Sequence, residues 1–584
     1  MASTMKKLVS FIGFHAGVLK ELYRLKPFKT ALLVFFSFLL PFANLINLKL
    51  SEYLTNQIAY LDFSNEDAFV KILLVIVFFG FSLILFNIVR WVLNNINNRF
   101  TKEVITAKKE DFMKKISRIS YENFESSDFY DTIWNANEAP LHFAIAILHI
   151  TALIDVVVSV VIYSVLLCRI NAMFVGYIII AFILYLVINK NVINKWDEYY
   201  DKYIIPEQRK SSYFENIISN RVNHFTIQVN RQYKFFVDKY ETHTEKERKY
   251  QLKLNFLTFS VELSISALFL IVIFLVLSYI AKGIAEGRYA IGMFTLVSAV
   301  MFQLFSIFRE LTQYIYSDKM HVKRINAFKS IMSMPDKSNM EVKEAQSKIV
   351  IKNLSYKYKQ SQFNALDNVS CEFGYNQKVA IVGKNGSGKT TLMQIILGLL
   401  DDYSGECINT IGKVAAIMQD FQFYQMTIRE NIELGRQGEA MSESEILDIL
   451  KKVDLYDLVM GLPDGINTRI GQLEGGIELS KGQFQRLAVA RMLADKEAKV
   501  WILDEPTAYL DPIAEIEMYQ YILSLSGERL VLFISHRLGF AKQADRIIVM
   551  DEGRIAEVGT HDELMIIENG IYKTMFEAQR EWYT

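Results

Sequence analysis

Paired cysteines are missing from this chain. Its three cysteines, Cys168, Cys371 and Cys407, have neither paired spacing nor nearby histidines. A disulfide framework or a zinc site needs such spacing, so the sequence argues against both kinds of site. We expect three isolated side chains that pack as small apolar residues.

A bias of charge is missing as well. Lys and Arg together number 64, and Asp and Glu together also number 64, in a chain of 584 residues. The chain therefore has no overall field that would favour nucleic acid or an acidic partner. We expect no nucleic-acid partner.

A cleavable signal is the third absence. The N-terminal stretch MASTMKKLVSFIGFHAG lacks a sustained apolar core and leads into the basic ELYRLKPFK. This pattern is not that of a secretory signal peptide. It indicates an amphipathic helix within residues 1–29 that lies on the membrane surface.

Long apolar runs are abundant in the first 315 residues. A membrane span needs about 20 mostly apolar residues. Six segments qualify: Thr30–Leu50, Ile72–Leu93, Leu141–Leu167, Ala172–Ile188, Phe256–Ala281 and Tyr289–Phe308. The stretch VKILLVIVFFGFSLILFNIV offers no polar face, which argues against buried helices of a soluble protein. The remainder alternates short β-rich runs with helical patterns, as a soluble α/β domain does.

Basic residues are distributed unevenly among the segments that separate the spans. Asn94–Pro140 contains seven Lys or Arg and Lys190–Asn255 contains thirteen, whereas Ser51–Ala68 contains none. Because loops rich in Lys and Arg stay on the cytoplasmic side, both long loops are predicted to be cytoplasmic. With six spans, both termini then lie in the cytoplasm. The long loops are helix-like and amphipathic, so we interpret them as extensions of the spans beyond the bilayer.

One carboxylate falls near the middle of the third predicted span. An ionised Asp155 at that depth costs at least about 2.5 to 3.5 kcal/mol, so its side chain should face protein or water. Two interpretations stay open: a cavity residue that contacts substrate, or a carboxyl that is protonated or paired with a neighbouring span. Gln303 and Glu262 carry a weaker form of the same prediction. Asp155 and Gln303 are the candidate substrate-cavity residues.

The stretch KVAIVGKNGSGKTTLMQIILGLL is typical of a strand, a glycine loop and the start of a helix. Gly383–Thr390 satisfies the full pattern G-x-x-x-x-G-K-[ST]. Gly386 and Gly388 let backbone amides close around phosphate oxygens. Lys389 neutralises phosphate charge, and the Thr390 hydroxyl can ligate Mg²⁺. The pattern predicts a P-loop ATPase domain.

A second predicted strand, VWILDE, ends in two carboxylates. Ligands of open α/β sheets bind at the carboxyl ends of the strands. Asp504 would hold the water shell of the metal there. Glu505 would take a proton from the attacking water.

Further short motifs flank these two. They are Tyr358 in LSYKYK, Gln419 in IMQDF, LSKGQ at Leu479–Gln483, LDEPT, AYLD ending in Asp511, and His536 in ISHR. In this order the motifs resemble the nucleotide-binding domain of ATP-binding cassette (ABC) transporters, and LSKGQ separates that family from other P-loop ATPases. Six spans with two long cytoplasmic loops before such a domain resemble an exporter-type half-transporter. The resemblance therefore covers essentially the whole chain.

The resemblance implies a dimer whose nucleotide-binding domains stack head to tail, so that the signature of one subunit contacts the γ-phosphate held by the other. Implied catalytic residues are Glu505, His536 and Gln419. Implied nucleotide contacts are Tyr358, Gly383, Lys384, Asn385, Gly386, Ser387, Gly388, Lys389, Thr390, Thr391, Ser480, Gly482, Gln483 and Asp511. Implied metal contacts are Thr390, Gln419 and Asp504. The implied cofactors are ATP and Mg²⁺, and the implied partner is a second copy of the chain or a related half-transporter.

Two positions depart from the family pattern. Lys481 replaces the first glycine of LSGGQ, and a helix-compatible backbone would tolerate a side chain there. Tyr509 stands where the family commonly has a small residue. Because Glu505, His536 and Gln483 are all present, each site of a homodimer could hydrolyse ATP.

Three stretches, QDFQFYQMTIRENIELG, EGGIELSKGQFQRLAVAR and LDEPTAYLDPIAEIEMY, resemble bacterial exporters of lantibiotics and other ribosomal peptides. The first span begins near Thr30, which leaves no room for the N-terminal peptidase domain that some members carry. The resemblance implies ATP-driven export of a peptide across the bacterial plasma membrane by alternating access. Two alternatives stay open: a multidrug or lipid exporter of the same architecture, and a membrane-tethered sensory ATPase.

These inferences predict an α-helical membrane domain with six transmembrane helices and a cytoplasmic α/β P-loop ATPase domain. The chain divides into an amphipathic region at residues 1–29, a transmembrane domain at 30–328, a linker at 329–347 and a nucleotide-binding domain at 348–584. The loop segments Phe129–Ala139 and Phe214–Val229 are expected to couple the domains by docking near QDFQFYQM.

Overall fold

The computed structural model describes residues 2–59, 66–337, 348–359, 361–419, 422–471, 475–504, 520–535 and 538–580. The chain separates into two compact units. The first comprises Met1–Ser117 with Asp131–Met334, and the second comprises Arg118–Tyr130 with Pro335–Thr584. A short piece from the first half of the chain therefore folds with the C-terminal half.

Long helices build the first unit. In chain order they are α1 (Ala2–Leu25), α2 (Pro27–Ala59), α3 (Glu66–Ile116), α4 (Ser127–Ile170), α5 (Ala172–Tyr199), α6 (Ile205–Ser219), α7 (Arg221–Val229), α8 (Tyr233–Ala285) and α9 (Gly292–Ser333). The first residues of α4 belong to the second unit. The π-helical turn Tyr200–Ile204 joins α5 to α6. Helices α3, α4, α8 and α9 contain 51, 44, 53 and 42 residues, so each is about twice as long as a span needs to be.

Among the residues that the structure describes, five helical segments are long and apolar enough to cross a membrane. They are Pro27–Ala59, Phe69–Ile116, Asp128–Ile170, Tyr233–Ala285 and Gly292–Glu310. The fourth predicted span corresponds to a shorter apolar segment, Ala172–Leu184, in α5. The sixth predicted span starts too early, because α9 begins at Gly292 rather than at Tyr289. Six spans therefore remain a prediction.

The apolar part of α3 illustrates why these helices suit a membrane. Leu74, Phe78 and Phe81 are 62%, 60% and 62% exposed in the single chain. Exposed apolar side chains of this density are unfavourable in water and ordinary in hydrocarbon. The helix is hydrophobic on all sides, as a membrane span is.

The core of the first unit lies between α4, α5, α8 and α9. Phe269 of α8 is fully buried, and its ring lies 5.8 Å from that of Phe305 and 4.9 Å from that of Phe308, both on α9. Phe174 of α5 and Tyr163 of α4 belong to the same buried cluster. Large rings from four helices therefore fill this core.

Two further contacts fix α9. At its start, the Gly292 N–H donates to Asn56 Oδ1 of α2 at 2.6 Å, and a Cβ at this glycine would lie 2.3 Å from the Glu52 carbonyl oxygen. Only glycine permits that approach. Nearer its end, Arg324 donates to His142 Nε2 of α4 at 2.6 Å. Helix α9 is thus held to both α2 and α4.

Two β-sheets build the second unit. The strands are β1 (Lys348–Tyr356), β2 (Leu366–Gly374), β3 (Lys378–Gly383), β4 (Ser404–Asn409), β5 (Val414–Ile417), β6 (Val500–Asp504), β7 (Leu530–Ile534), β8 (Arg546–Asp551) and β9 (Arg554–Gly559). One sheet is antiparallel, with the order β2-β1-β4. The other has the order β5-β6-β7-β3-β8-β9, and only β9 runs antiparallel to its neighbour.

The six-stranded sheet is buried on both faces. Ala380 and Val382 of β3 face one apolar cluster, whereas Val379 and Ile381 face the other. Such burial explains why the central strands are continuous apolar runs rather than alternating ones. The α/β pattern predicted from the sequence is therefore confirmed.

Helices surround this sheet. In chain order they are α10 (Lys389–Ile396), α11 (Ile428–Glu433), α12 (Glu443–Lys452), α13 (Tyr456–Met460), α14 (Lys481–Ala494), α15 (Leu538–Ala541), α16 (His561–Ile566) and α17 (Ile571–Arg580). Helix α10 directly follows the glycine loop after β3, and α14 carries the LSKGQ segment at its start.

Candidate nucleotide site

The glycine loop after β3 is shaped by positive backbone angles. Gly383, Gly386 and Gly388 have φ of +150°, +80° and +97°. A Cβ at Gly388 would lie 2.5 Å from the Ala365 carbonyl oxygen, so a side chain cannot be accommodated there. At Gly386 a Cβ would meet no atom within 4 Å, so the backbone at this position faces open space. The loop therefore presents backbone that a phosphate group can approach closely.

Lys389, the first residue of α10, lies under this loop. Its side chain is only 6% exposed, and Nζ donates to the carbonyl oxygens of Gly383 and Lys384 at 2.9 and 2.8 Å. The buried Ser387 Oγ has no hydrogen-bond partner among the described residues. A buried ammonium and an unpaired hydroxyl at a helix N-terminus fit phosphate oxygens. The loop residues, including Asn385, thus fit the triphosphate of ATP.

The parallel strands bring further predicted residues to the same edge of the sheet. Asp504 ends β6 and is 2% exposed, and the exposed Gln419 follows β5 by two residues. Thr390 is exposed in the first turn of α10. Carboxylate, amide and hydroxyl oxygens are ligands that suit Mg²⁺, so these three residues fit the predicted metal site. Glu505, Tyr509, Asp511 and His536 lie outside the described residues, and their roles stay predictions.

Tyr358, which follows β1 by two residues, contacts the helix of the phosphate loop. Its hydroxyl lies 3.1 Å from Thr391 Oγ1 and donates to Gln394 Oε1 at 3.2 Å. The ring meets that of Tyr356 edge-on, with centroids 5.0 Å apart. Burial raises the pKa of the Tyr358 phenol, which therefore stays neutral. The ring is held next to the loop, as an adenine-stacking role requires.

The segment Arg118–Tyr130 forms the other wall of a small cavity at Tyr358. Its 3₁₀-helix, Tyr121–Glu125, contributes Glu122 and Glu125, and the cavity volume is about 140 Å³. The carboxylate of Glu122 lies 3.7 Å from Lys359 Nζ. Burial and the nearby Glu122 raise the pKa of Glu125. The sequence did not point to this contact, because nothing in YENFE pairs it with residues more than two hundred positions later.

The signature segment begins α14. Ser480 is the N-cap, and the Gln483 N–H donates to Ser480 Oγ at 3.2 Å while the Ser480 N–H donates to Gln483 Oε1 at 2.8 Å. This capping box fixes the start of the helix. Ser480 and Lys481 are both exposed, and Gly482 is half-buried beside them. Lys481 stands in helical backbone, where a side chain is tolerated, and the site presents a helix N-terminus at the surface.

Helix α14 is also joined to the residues that follow Gln419. Phe484 packs on Phe423 with ring centroids 4.3 Å apart. Arg491 donates to the Gln422 carbonyl at 3.1 Å, lies 4.9 Å from the ring of Tyr424, and donates to Asn431 Oδ1. Sequence reasoning missed Arg491, since its only signal was a basic residue in the otherwise apolar LAVARMLA. The structure thereby links the segment around the predicted Gln419 sensor to the signature helix.

The first unit, Met1–Ser117 with Asp131–Met334, carries the candidate spans and is called the membrane unit below. It contains a small polar cluster. The side-chain amide of Asn44 on α2 donates to Gln303 Oε1 on α9 and to the hydroxyl oxygen of Tyr163 on α4, each at 3.0 Å. The Tyr163 hydroxyl in turn donates to Gln303 Oε1. Asp155 is half-buried two turns before Tyr163 on the same helix. The structure therefore gives Gln303 two polar partners from other helices, while Asp155 lies further along α4.

Known proteins resemble this chain in sequence and in structure. Residues 366–508 match the family model of the ABC transporter domain. The chain is similar to ABC transporters in this segment. It is 30% identical over 392 residues to the subtilin transport ATP-binding protein SpaT of Bacillus subtilis, a match that covers 64% of this chain and 63% of that protein. It is 39% identical over 228 residues to the nisin transport protein NisT of Lactococcus lactis, covering 36% of this chain and 38% of NisT.

Another similar protein is named for a different substrate. An ATP-dependent lipid A-core flippase of Francisella tularensis is 36% identical over 250 residues, covering 41% of this chain and 40% of the flippase. The chain thus matches less than two thirds of the length of these relatives. A solved bacterial Atm1-family ABC exporter with ATP bound is similar in structure, with a TM-score of 0.76, 19% identity, and coverage of 95% of this chain and 98% of that one. The predicted exporter fold is confirmed, and so is the resemblance to ABC transporters that the motifs indicated.

Proposed function

We propose that this chain is one half of a dimeric ABC exporter that couples ATP hydrolysis to the export of a ribosomally made peptide across the bacterial plasma membrane. The observation that carries the ATPase proposal is the phosphate loop. In this loop Lys389 is buried, Ser387 Oγ has no hydrogen-bond partner within the described part of the chain, and the backbone at Gly386 faces open space. This arrangement supports binding of a triphosphate.

The residues have distinct tasks in this proposal. Lys389 and the loop amides hold the β- and γ-phosphates, and Tyr358 stacks on the adenine. Thr390, Gln419 and Asp504 would hold Mg²⁺, which neutralises charge that develops on the phosphates. Glu505 takes a proton from the attacking water, and His536 contacts the γ-phosphate.

The exposed signature supports a dimer. Ser480 and Gly482 lie at an accessible helix N-terminus, and in the proposed head-to-tail dimer they contact the γ-phosphate held by the other subunit. The partner is a second copy of this chain or a related half-transporter. A monodisperse monomer with full ATPase turnover would contradict this proposal.

The membrane placement is part of the same proposal. Six spans, with α5 contributing the fourth, put both termini and residues 348–584 in the cytoplasm, where ATP is available. The region 1–29 lies on the membrane surface, 30–328 forms the transmembrane domain and 329–347 is the linker. Labelling of single cysteines from either side of the membrane tests this topology.

The substrate class rests on similarity to SpaT and NisT, whose names refer to subtilin and nisin transport. Asp155 and Gln303 are proposed to line the substrate cavity. The test is substrate-stimulated ATPase activity and uptake of peptide into inside-out vesicles that contain the purified protein. A peptide that is accumulated and stimulates hydrolysis supports the proposal, and a peptide gene beside this gene would agree with it.

The lipid A-core flippase relatives favour a second candidate, a lipid or multidrug exporter. In that case amphiphiles without a peptide backbone stimulate hydrolysis and are accumulated, while peptides are not. A sensory ATPase would hydrolyse ATP and accumulate neither class. The same vesicle assay therefore separates all three functions.

A further inference from the structure

Besides the cavity at Tyr358, another cavity lies in the membrane unit and is lined by other residues than the polar cluster at Gln303. It has a volume of about 500 Å³ and lies between the end of α5, the π-helical turn and α8. Its lining includes Tyr199, Lys202, Tyr203, Lys253 and Phe256. Ligand sites in proteins commonly have volumes of about 300 to 1,000 Å³, so this cavity is large enough for a small amphiphile.

The backbone beside the cavity is unusual. In Tyr200–Ile204 the helix widens, and the Ile205 N–H donates to the Tyr200 carbonyl five residues earlier. Single π-turns within α-helices occur frequently at functional sites. The rings of Tyr199 and Tyr203 lie 4.8 Å apart, and Tyr203 lies 5.4 Å from Tyr250 of α8. These contacts fix the widened turn against α8 and keep the cavity wall in place.

Two lysines provide the charge of the cavity. Lys202 Nζ lies 5.5 Å from the centroid of the Tyr203 ring, and Lys253 Nζ lies 5.6 Å from that of Tyr199. Both side chains are exposed. Among the described side chains neither ammonium forms an ion pair, whereas Lys249 on the same helix lies 3.1 Å from Glu245. The two cations are thus directed over aromatic rings and are available to an anion.

The apolar side of the cavity indicates what kind of anion fits. Phe256 is 72% exposed and Leu257 is 37% exposed, and they follow Lys253 by three and four residues on α8. Phe256 also begins the predicted fifth span, so the lysines lie where the apolar stretch gives way to charged sequence. Tyrosine and lysine are typical of this interfacial level, and basic pockets between spans on the cytoplasmic side bind anionic lipid headgroups.

We propose that this cavity binds an anionic phospholipid of the cytoplasmic leaflet, with its phosphate between Lys202 and Lys253 and its first acyl carbons against Phe256 and Leu257. A free inorganic anion would satisfy the lysines and leave the apolar wall unused. The inference depends on α5 and α8 reaching the membrane interface. It does not depend on ATP hydrolysis or on the exported substrate.

The test measures lipid binding to the full-length protein in neutral detergent, without nucleotide. Titrations use dioctanoyl phosphatidylglycerol, dioctanoyl phosphatidylcholine and inorganic phosphate. We expect the anionic lipid to bind more tightly than both other probes. Replacing both lysines, Lys202→Gln with Lys253→Gln, should weaken its binding roughly thirtyfold at low salt, because each surface lysine contributes about a factor of five or more.

A matched control removes two lysines from α8 outside the cavity, Lys239→Gln with Lys246→Gln. Lys239 also lies over an aromatic ring, 5.7 Å from Phe235, so the control removes the same kind of contact. The control should bind the anionic lipid as the unchanged protein does. Phe256→Ala tests the apolar wall and should weaken lipid binding while leaving the weak binding of phosphate unchanged.

Four results would overturn the proposal. They are equal affinity for the two lipids, equal losses in the cavity and control variants, phosphate binding as tight as that of the anionic lipid, and a cavity variant that changes the oligomeric state with no loss of lipid affinity. The last result would mean that a second copy of the chain covers the cavity. Thermal unfolding of each variant shows whether its fold is retained, and Lys202→Gln alone provides a milder change if the double variant unfolds.

Discussion

In the nucleotide-binding unit the groups of the phosphate loop are held in place by residues close by in sequence. In the membrane unit the polar groups around Gln303 contact residues that are far away in sequence. Gly383, Gly388 and Lys389 lie within seven consecutive residues, and the Lys389 ammonium donates back to carbonyls five and six positions earlier. Gln303, in contrast, meets partners that are 259 and 140 positions away along the chain. A local pattern can encode the first kind of site but not the second.

This difference affects how each unit should respond to substitution. A phosphate loop has few atoms and a single task, so loss of one group should have a large and specific effect. Contacts between spans are weak individually, because polar pairs in membranes contribute about 0.6 kcal/mol on average. Substitutions in the membrane unit should therefore have small effects that are visible mainly in coupling or substrate preference.

The largest effect is expected for Glu505→Gln. The amide cannot accept the proton of the attacking water, so turnover should fall by at least about a hundredfold while ATP still binds. Steady-state hydrolysis and nucleotide binding by the purified protein measure both quantities. Near-normal turnover would place the general base at another residue.

Lys389→Ala should act on binding rather than on turnover alone. Removing a buried ammonium from the phosphate loop should weaken ATP binding by roughly tenfold to a hundredfold, the loss expected for a hydrogen bond to a charged group. Lys352→Ala is the matched control, since Lys352 is an exposed lysine of β1 outside the phosphate loop. Equal ATP affinity in the Lys389 variant and the control would remove Lys389 from the site.

The sequence predicted the parts of this site that depend on short motifs. Glycine spacing predicted the loop after β3, and the apolar strand before Asp504 predicted that its carboxylate lies at the same edge of the sheet, because strand direction in a parallel sheet fixes which ends meet. The sequence did not predict that Phe484 and Arg491 of α14 hold the segment after Gln419. That contact depends on how α14 packs, and a single basic residue in a helix carries no information about its distant partner.

Arg491→Met sharpens the comparison because it removes a long-range contact within the nucleotide-binding unit. The substitution leaves Asn431 Oδ1 without its arginine donor and removes the contact with Tyr424. An unsatisfied buried polar group costs about 1 to 3 kcal/mol, so the free energy of unfolding should fall by that amount. Denaturant unfolding of the purified protein measures it. Arg486→Met is the control, since Arg486 of the same helix is half-buried and pairs, within the described residues, only with the exposed side chain of Asp454 and its carbonyl. Equal stability of the two variants would show that Arg491 contributes little to the packing of α14.

Tyr130→Ala addresses the segment that folds with the nucleotide-binding unit although it precedes most of the membrane helices. Tyr130 is 62% exposed, so its removal should not disturb the core. If the segment transmits the effect of ATP, basal hydrolysis persists while substrate stimulation and vesicle transport fall together, with a coupling change of about 0.5 to 2 kcal/mol. Tyr23→Ala, at a 52% exposed tyrosine of α1, is the control. Equal loss of basal hydrolysis and transport would indicate a structural role only.

The smallest effect on stability is expected for Gln303→Leu in the membrane unit. The substitution removes the acceptor shared by Asn44 and Tyr163, and unfolding should become easier by about 0.6 kcal/mol, the average for polar pairs between spans. Tyr163→Phe removes one hydroxyl from the same cluster and should have a similar or smaller effect on stability.

The two variants differ in substrate handling if Gln303 also faces the cavity, because only Gln303→Leu removes the amide itself. The concentration of peptide that half-maximally stimulates hydrolysis should then rise for Gln303→Leu and stay unchanged for Tyr163→Phe. If both variants lose stability equally and neither changes that concentration, the cluster only joins α2, α4 and α9, and the substrate cavity must be sought elsewhere, first at Asp155.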